Sequence, residues 1–314
     1  MFITLLSIGV TIVLIRYIEQ FLRSFYISDL ENKYVLITGC DTGFGNLLAK
    51  SLDNKGINVI ATCLTENGAK QLSDCCSMKL TTYILNVTNE DEIDNLKEMI
   101  TKKVGDKGLH ALVNNAGILG KDYGSPETLL MSNLTEILKI NSVAPAVLCF
   151  KFLELLNMGK GRIINMGSLA GRVPSVHFFY GISKFCIEGL SSILSFQLKK
   201  YDWNVSVHTI EPEAYSTTIA EEDELEKSVV EGYKRVSKFS KEKYPTVDDY
   251  LQIFLYELAE IPLNDRVEDV TNAYEHAILS VWPKNRYSVG NMAKYVIIPL
   301  SYLPTSITDK IFVE

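Results

Sequence analysis

The stretch VLITGCDTGFGN, residues 35–46, decides how the rest of the chain is read. A run of β-branched and aliphatic residues ends abruptly in three glycines, Gly39, Gly43 and Gly45. Their spacing, Gly-x-x-x-Gly-x-Gly, falls between a predicted strand (33–39) and a helical pattern (45–56) whose Leu47, Leu48 and Leu52 share a face before Gly56 ends it. A glycine-rich turn at the start of a helix lets backbone N–H groups approach a phosphate, with the helix dipole favouring the anion. The same residues also suit an ordinary strand-to-helix turn, so context must decide.

Further along, the alternation repeats. Strands are predicted at 57–63, 80–88, 108–117, 161–168 and 203–212, with helices between them, among them 68–76 and the segment NEDEIDNLKEMITKKV, acidic at its start and basic at its end. Such alternation predicts parallel βαβ units with right-handed crossovers. The expected fold is α/β: one Rossmann-type doubly wound sheet of about seven strands, over residues 30–290. In that setting the first βα turn is read as a nucleotide-binding loop.

Two regions depart from the rhythm. Residues 213–260, with EEDELEK and KRVSKFSKEK, are highly charged and are expected to form a helical insertion serving as a substrate lid. Residues 291–314 form an apolar tail divided by Pro299 and Pro304, which no single straight helix accommodates. At the other end, MFITLLSIGVTIVLI carries no charge before Arg16, Glu19 and Arg23. Residues 1–23 are read as a membrane anchor, somewhat short of the roughly 20 apolar residues of a spanning helix. A cleaved signal peptide and a buried soluble helix are the alternatives. Basic residues on the C-terminal flank favour a cytosolic body.

The net charge of −7 over 314 residues argues against nucleic-acid binding. Six cysteines, at 40, 63, 75, 76, 149 and 186, match no zinc spacing and are read as reduced thiols. His110, His177, His208 and His276 lack metal-ligand spacing, so no metal site is expected. Sequons start at Asn86, Asn133 and Asn204 and do not decide topology.

Tyr180 and Lys184 stand four apart in YGISKFCIEGL and share a helix face. A nearby ammonium stabilises a phenolate, so the pair suits proton transfer to or from an alcohol oxygen. No other of the 16 tyrosines has a lysine four residues on, but one such pair is what chance supplies. Its weight comes from Ser168, twelve residues upstream at the end of the fifth strand, where open α/β sheets bind ligands. Ser168 is read as orienting a substrate oxygen or as capping a turn. Asn141, an amide in a predicted helix, carries a water relay towards Lys184 or ties the backbone.

TGCDTGFG, NNAG (114–117), Asn141, Ser168 and Tyr180-x-x-x-Lys184, in this order, resemble the short-chain dehydrogenase/reductase family over nearly the whole chain. GCDTGFGNLLAKSLD, TCLTENGAKQL, VGDKGLHALVNNAGI and YSVGNMAKYVIIPLSYLPTS are similar to its retinol dehydrogenase and 3α/17β-hydroxysteroid dehydrogenase branch. A mitochondrial 3-hydroxybutyrate dehydrogenase is similar through the glycine loop but less so in the tail. The resemblance implies Tyr180 as general acid/base and Lys184 lowering its pKa and holding the nicotinamide ribose. Ser168 would orient the substrate, and Asn141 would order a relay water. Thr38, Gly39, Asp41, Thr42, Gly43, Phe44 and Gly45 would surround the pyrophosphate, and Asn86 and Val87 the adenine. Asn114, Asn115, Ala116 and Gly117 would line the cofactor, with Pro212 and Thr217 at the carboxamide. Glu213 stands where the family commonly has glycine, so its side chain is expected at the nicotinamide mouth; Asn86 stands where the family has aspartate, and His177, Phe178 and Phe179 replace smaller residues and are expected to narrow the substrate pocket.

Neither a base for a 2′-phosphate nor an acid for a 2′-hydroxyl occurs among Cys63, Leu64 and Thr65, and NAD(H) is favoured over NADP(H). The expected protein is a membrane-anchored NAD-dependent dehydrogenase of a lipophilic alcohol or ketone, at the endoplasmic reticulum, with a homo-oligomer among the expected partners. A 3-hydroxybutyrate-type enzyme and a non-catalytic NAD-binding scaffold are the alternatives.

Overall fold

The structure is a computed structural model that describes residues 2–120, 124–175, 177–216, 222–259 and 262–313. Seven parallel strands form one sheet: β1 Tyr34–Ile37, β2 Asn58–Cys63, β3 Leu80–Ile84, β4 Ala111–Asn114, β5 Arg162–Met166, β6 Ser206–Pro212 and β7 Arg286–Val289. Their order is β3-β2-β1-β4-β5-β6-β7. β1 therefore lies between β2 and β4, with Leu36 opposite Ile60 on one side and Leu112 on the other. The strand order reverses at this point, which opens a crevice at the C-terminal strand ends.

The helices are α1 Phe2–Arg23, α2 Gly43–Asn54, α3 Glu66–Asp74, α4 Glu90–Val104, α5 Met131–Leu138, α6 Ala144–Met158, α7 Phe178–Lys200, α8 Glu222–Tyr233, α9 Lys238–Lys243, α10 Val247–Ala259, α11 Glu268–Leu279, α12 Ile298–Leu300 and α13 Thr305–Val313. Side chains of successive strand residues point to opposite faces, and the core divides accordingly. Val35 and Ile37 pack with Leu48 and Leu52 of α2 and Tyr274 and Ile278 of α11. Leu36 packs with Ile93 and Leu96 of α4 and Phe152 of α6. Each large aliphatic side chain so buried contributes roughly 1.5–3 kcal/mol. Among the described residues, charge in this core is partnered. Arg162 donates to the Ala277 and Ile278 carbonyls, both at 2.8 Å, and so satisfies the C-terminal end of α11.

The fourth strand and the segment around Asn141 differ from the sequence reading, whereas the tail follows it. The fourth strand is shorter than 108–117, because NNAG leaves the ladder after Asn114 and turns towards the glycine loop. Asn141 lies not in a regular helix but in a π-helical turn, Lys139–Val143, between α5 and α6. The tail is broken as its prolines require: a π-turn at Ala293–Ile297 leads into α12, and the chain bends before α13.

The end of α1 is fixed to the body. Ile27 donates to the Leu279 carbonyl and Val281 to that of Phe25, both at 2.8 Å, and the Arg23 guanidinium lies 5.5 Å from the Trp282 ring centroid. Among the described residues no helix is both long and apolar enough to cross a membrane.

Helices α8 and α10 share a small apolar cluster of Val229, Val236, Tyr250 and Leu251. They are fastened to the loop after β4. Tyr250 Oη accepts the Ser125 amide at 2.8 Å, Arg235 donates to the Thr128 carbonyl at 2.8 Å, and Glu127 accepts the Ser237 amide at 3.0 Å.

Candidate active site

At the end of β1 the three glycines do different work. Gly39 has φ +68°, and a Cβ there would come within 2.8 Å of Ala116 Cα. A Cβ on Gly45 would collide with the Gly39 carbonyl oxygen and the Asn115 amide. Gly43, at φ +62°, faces open space instead. The first and third glycines thus close the loop onto the end of β4, while the second leaves a gap at the N-terminus of α2 that suits an anionic group. Phe44 packs edge-on against Tyr215, ring centroids 5.8 Å apart.

Thr38 and Asn115 hold this arrangement. Thr38 Oγ1 accepts the Asn115 and Ala116 amides at 3.1 Å, and the Asn115 side-chain amide donates to the Thr38 and Gly39 carbonyls at 2.9 and 3.0 Å. The Asn114 side chain turns into the sheet and donates to Asn165 at 2.8 Å, so only its backbone faces the crevice loops. Asn86 is exposed, and its carboxamide oxygen already accepts the Thr88 amide and hydroxyl at 3.0 and 2.8 Å. Val87 is buried beside it. Asp41 lies against the residues that follow β2, accepting the Leu64 amide at 2.8 Å. Thr42, exposed, immediately precedes α2.

β5 and α7 bring the polar triplet together. Ser168 follows β5, and its hydroxyl accepts the Ala170 amide at 3.1 Å, capping a short 3-10 turn. The same hydroxyl lies beside the phenol of Tyr180 and favours its ionised form. Of the two sequence readings of Ser168, the cap is what this geometry displays. Lys184, 4% exposed, extends beneath the Tyr180 ring with Nζ 5.3 Å from its centroid and donates to the Met166 carbonyl at 2.8 Å. Burial pushes the Tyr180 phenol up to about 12, with the neighbouring Ser168 hydroxyl opposing. Burial also pushes Lys184 down to about 8. The expected lowering of the phenol by lysine is thus reversed here: desolvation outweighs an ammonium whose closest partner is a carbonyl.

Asn141 clips two parts of the site together. Its oxygen accepts the Ile118 amide at 2.9 Å, and its nitrogen donates to the Ile118 carbonyl at 2.8 Å and Ser183 Oγ at 3.0 Å. The π-turn is what lets one side chain reach both the loop after β4 and α7. Of the two sequence readings, the backbone tie is what this geometry displays. Gly117 packs closely here, since a Cβ would sit 3.2 Å from Asn141 Oδ1.

Pro212 ends β6. Glu213, expected at the mouth of the site, turns away from it. Its carboxylate accepts the Asn264 side-chain amide at 2.8 Å and the Ala293 amide at 3.0 Å, packed over Gly290 at φ +103°. Thr217 lies outside the described residues. His177 stands edge-on to Tyr180, 6.4 Å between centroids, and burial pushes its imidazole down to about 4. Phe179 is buried, whereas Phe178 is exposed.

The sequence reading passed over a buried ionic group behind the site. Glu211 of β6, fully buried, accepts Arg172 at 3.0 Å and Arg286 at 2.6 Å, and Arg286 also pairs with Glu188 of α7. A glutamate inside an otherwise buried strand was the available signal.

Comparison with known proteins agrees with this geometry. Residues 33–228 match the short chain dehydrogenase family. Rat 17-beta-hydroxysteroid dehydrogenase type 6 is 37% identical over 303 residues, covering 96% of this chain and 94% of that protein. Human short-chain dehydrogenase/reductase family 9C member 7 is 38% identical over 285 residues, 90% of each chain. Rat retinol dehydrogenase 16 is 37% identical over 288 residues, 91% of this chain and 89% of that one. Among solved structures, a short-chain dehydrogenase from Streptomyces avermitilis superposes with a TM-score of 0.66 at 20% identity, over 85% of this chain and 92% of that one, which supports the fold. With the glycine loop, the Ser168–Tyr180–Lys184 cluster and these relatives in hand, the chain belongs to the short-chain dehydrogenase family, as an oxidoreductase that acts on CH–OH groups with a nicotinamide cofactor.

Proposed function

We propose that the chain interconverts a lipophilic alcohol, retinoid or hydroxysteroid in character, with its aldehyde or ketone, using NAD(H). The observation that carries this reading is the convergence of Ser168, Tyr180 and Lys184 at the C-terminal ends of the strands, with the Lys184 ammonium 5.3 Å from the Tyr180 ring centroid. Thr38, Gly39, Asp41, Thr42, Gly43, Phe44 and Gly45 hold the pyrophosphate side of the nucleotide, and Asn86, Val87 and the backbone of 114–117 the adenosine side. Lys184, Tyr180, Pro212 and Thr217 border the nicotinamide. The open space over Gly43, beside glycines that admit no Cβ, fits a pyrophosphate. When bound, the nicotinamide ring donates or accepts the hydride.

The chain's own residues manage the proton. Ser168 directs the substrate oxygen to Tyr180. In reduction the phenol, neutral at pH 7, donates its proton to the carbonyl oxygen. In oxidation the phenolate takes the hydroxyl proton, stabilised by the Lys184 ammonium and the Ser168 hydroxyl. Asn141 keeps α7 and the loop after β4 in register, so the geometry survives each turnover. Helices α8–α10 act as a lid that excludes water.

A lipophilic substrate is supported by the relatives, named as a hydroxysteroid and a retinol dehydrogenase. It is also supported by the apolar exposed side chains of α1 and the tail, including Val13, Ile15, Tyr295 and Tyr302. α1 attaches the protein to the endoplasmic reticulum membrane with the body in the cytosol. Exposed apolar residues of α6 and α7, Phe150, Ile193 and Phe196, suit a homo-oligomer contact. The test is NADH formation by the full chain in membranes or detergent, offered all-trans-retinol, a 3α-hydroxysteroid and 3-hydroxybutyrate. Turnover of a lipophilic alcohol supports the reading, and turnover of 3-hydroxybutyrate alone overturns it.

A further inference from the structure

In an open sheet of this topology, the end of the second strand is where the adenosine ribose is read. An acidic side chain there accepts a free 2′-hydroxyl, whereas a basic one pairs a 2′-phosphate. Here β2 ends at Cys63 and continues as Leu64 and Thr65, with neither type of side chain. The structure brings one in from another part of the chain. Asp41, inside the glycine loop after β1, reaches across to the end of β2. Its Oδ2 accepts the Leu64 amide at 2.8 Å, and its Oδ1 accepts the Thr65 amide at 2.9 Å and the Thr65 hydroxyl at 2.7 Å.

The start of α3 is shaped around this carboxylate. Thr65 caps the helix by accepting the Gly68 amide at 3.0 Å, and a Cβ on Gly68 would come within 2.6 Å of Asp41 Oδ1. Asp41 is thereby held in place while remaining half-exposed. An ionised carboxylate offers about four lone-pair directions, so the three hydrogen bonds leave room for another donor. No lysine or arginine occurs at 39–46 or 62–69 to offset its charge, and Glu66 adds to it.

We propose that Asp41 selects NAD(H) over NADP(H), accepting a hydrogen bond from the adenosine ribose and repelling a 2′-phosphate. This rests on the nucleotide-binding reading of the glycine loop. It assigns to one residue a selectivity that the second strand's own sequence does not explain. A 2′-phosphate carries roughly −1.5 to −2 charge near neutral pH, so a fixed carboxylate beside it is strongly unfavourable.

The experiment is equilibrium binding of NADH and NADPH to the full chain in detergent, read by nucleotide fluorescence, for wild type and Asp41→Asn. The asparagine keeps an acceptor oxygen for the Leu64–Thr65 turn but removes the charge. Wild type is expected to favour NADH by about 100-fold, and the variant to narrow that ratio roughly 10-fold or more, mainly through tighter NADPH binding. A purely structural role for Asp41 would weaken both nucleotides alike and leave the ratio unchanged, which would overturn the proposal. Should Asp41→Asn fail to fold, the wild-type ratio decides. Raising salt from about 0.02 to about 0.5 M screens the repulsion and is expected to narrow the ratio severalfold, whereas a constant ratio overturns the assignment. Absence of binding of either nucleotide to wild type would instead overturn the nucleotide reading itself.

Discussion

The ammonium of Lys184 is hydrogen-bonded to the carbonyl oxygen of Met166 at 2.8 Å, and its place beneath the Tyr180 ring follows from that bond. The end of β5 therefore fixes the lysine that the tyrosine requires. Lys184 is buried and Tyr180 half-buried, and desolvation drives each towards its neutral form, the phenol up and the amine down.

This arrangement predicts a stability cost. Lys184 titrates at about 8 when folded, below the ordinary lysine value of 10.5. The unfolded chain binds this proton more tightly, so the penalty is complete below about pH 8 and is relieved as pH rises from there towards 10.5. Lys184→Met is expected to raise stability at pH 7 by about 1–2 kcal/mol, the charge penalty offset in part by the unpaired Met166 carbonyl. The same variant is expected to lose turnover. Denaturant unfolding at pH 7 and pH 10 checks it, with the gain shrinking at the higher pH.

The glycines should separate by mechanism. Gly45→Ala puts a Cβ against backbone of the same loop, which cannot move away, and is expected to abolish nucleotide binding. Gly43→Ala has space but must hold φ +62°, costing roughly 1–2 kcal/mol while leaving a folded protein. Circular dichroism melting together with NADH titration distinguishes the two.

Asn141→Ala leaves the half-buried Ile118 amide and carbonyl without their side-chain partner. A loss of about 2–4 kcal/mol is expected, with weaker NADH binding because the loop after β4 loses its tie to α7. Unfolding curves with and without NADH measure both effects.

Glu213→Ala should act on the tail and spare the nucleotide. Its carboxylate joins Asn264 to the amide of Ala293, so its removal frees the start of the C-terminal segment. Faster proteolysis after residue 290 is expected, with NADH affinity unchanged within about twofold.

The sequence made local patterns legible and long-range ones invisible. The strands, the glycine loop and the Tyr180–Lys184 face follow from periods of two and four that neighbouring residues enforce. The turn at Asn141 was read as plain helix because one extra residue in a π-turn leaves the apolar pattern almost intact. Asp41 was assigned to the pyrophosphate loop, and nothing local showed it crossing to Leu64 and Thr65, 23 and 24 residues on. Glu213 was expected at the site mouth because the reading had no view of Gly290, whose missing side chain lets the carboxylate turn aside. The phenol's direction of shift was missed for the same reason: spacing reveals a neighbour but not the depth of burial.

The most direct test of the account is turnover of a lipophilic alcohol with NAD by wild type and Tyr180→Phe, measured beside NADH affinity. The account predicts a fall of roughly 10²–10⁴-fold in kcat with NADH affinity nearly unchanged, because the substitution removes only the proton carrier. Turnover in Tyr180→Phe equal to wild type would contradict it.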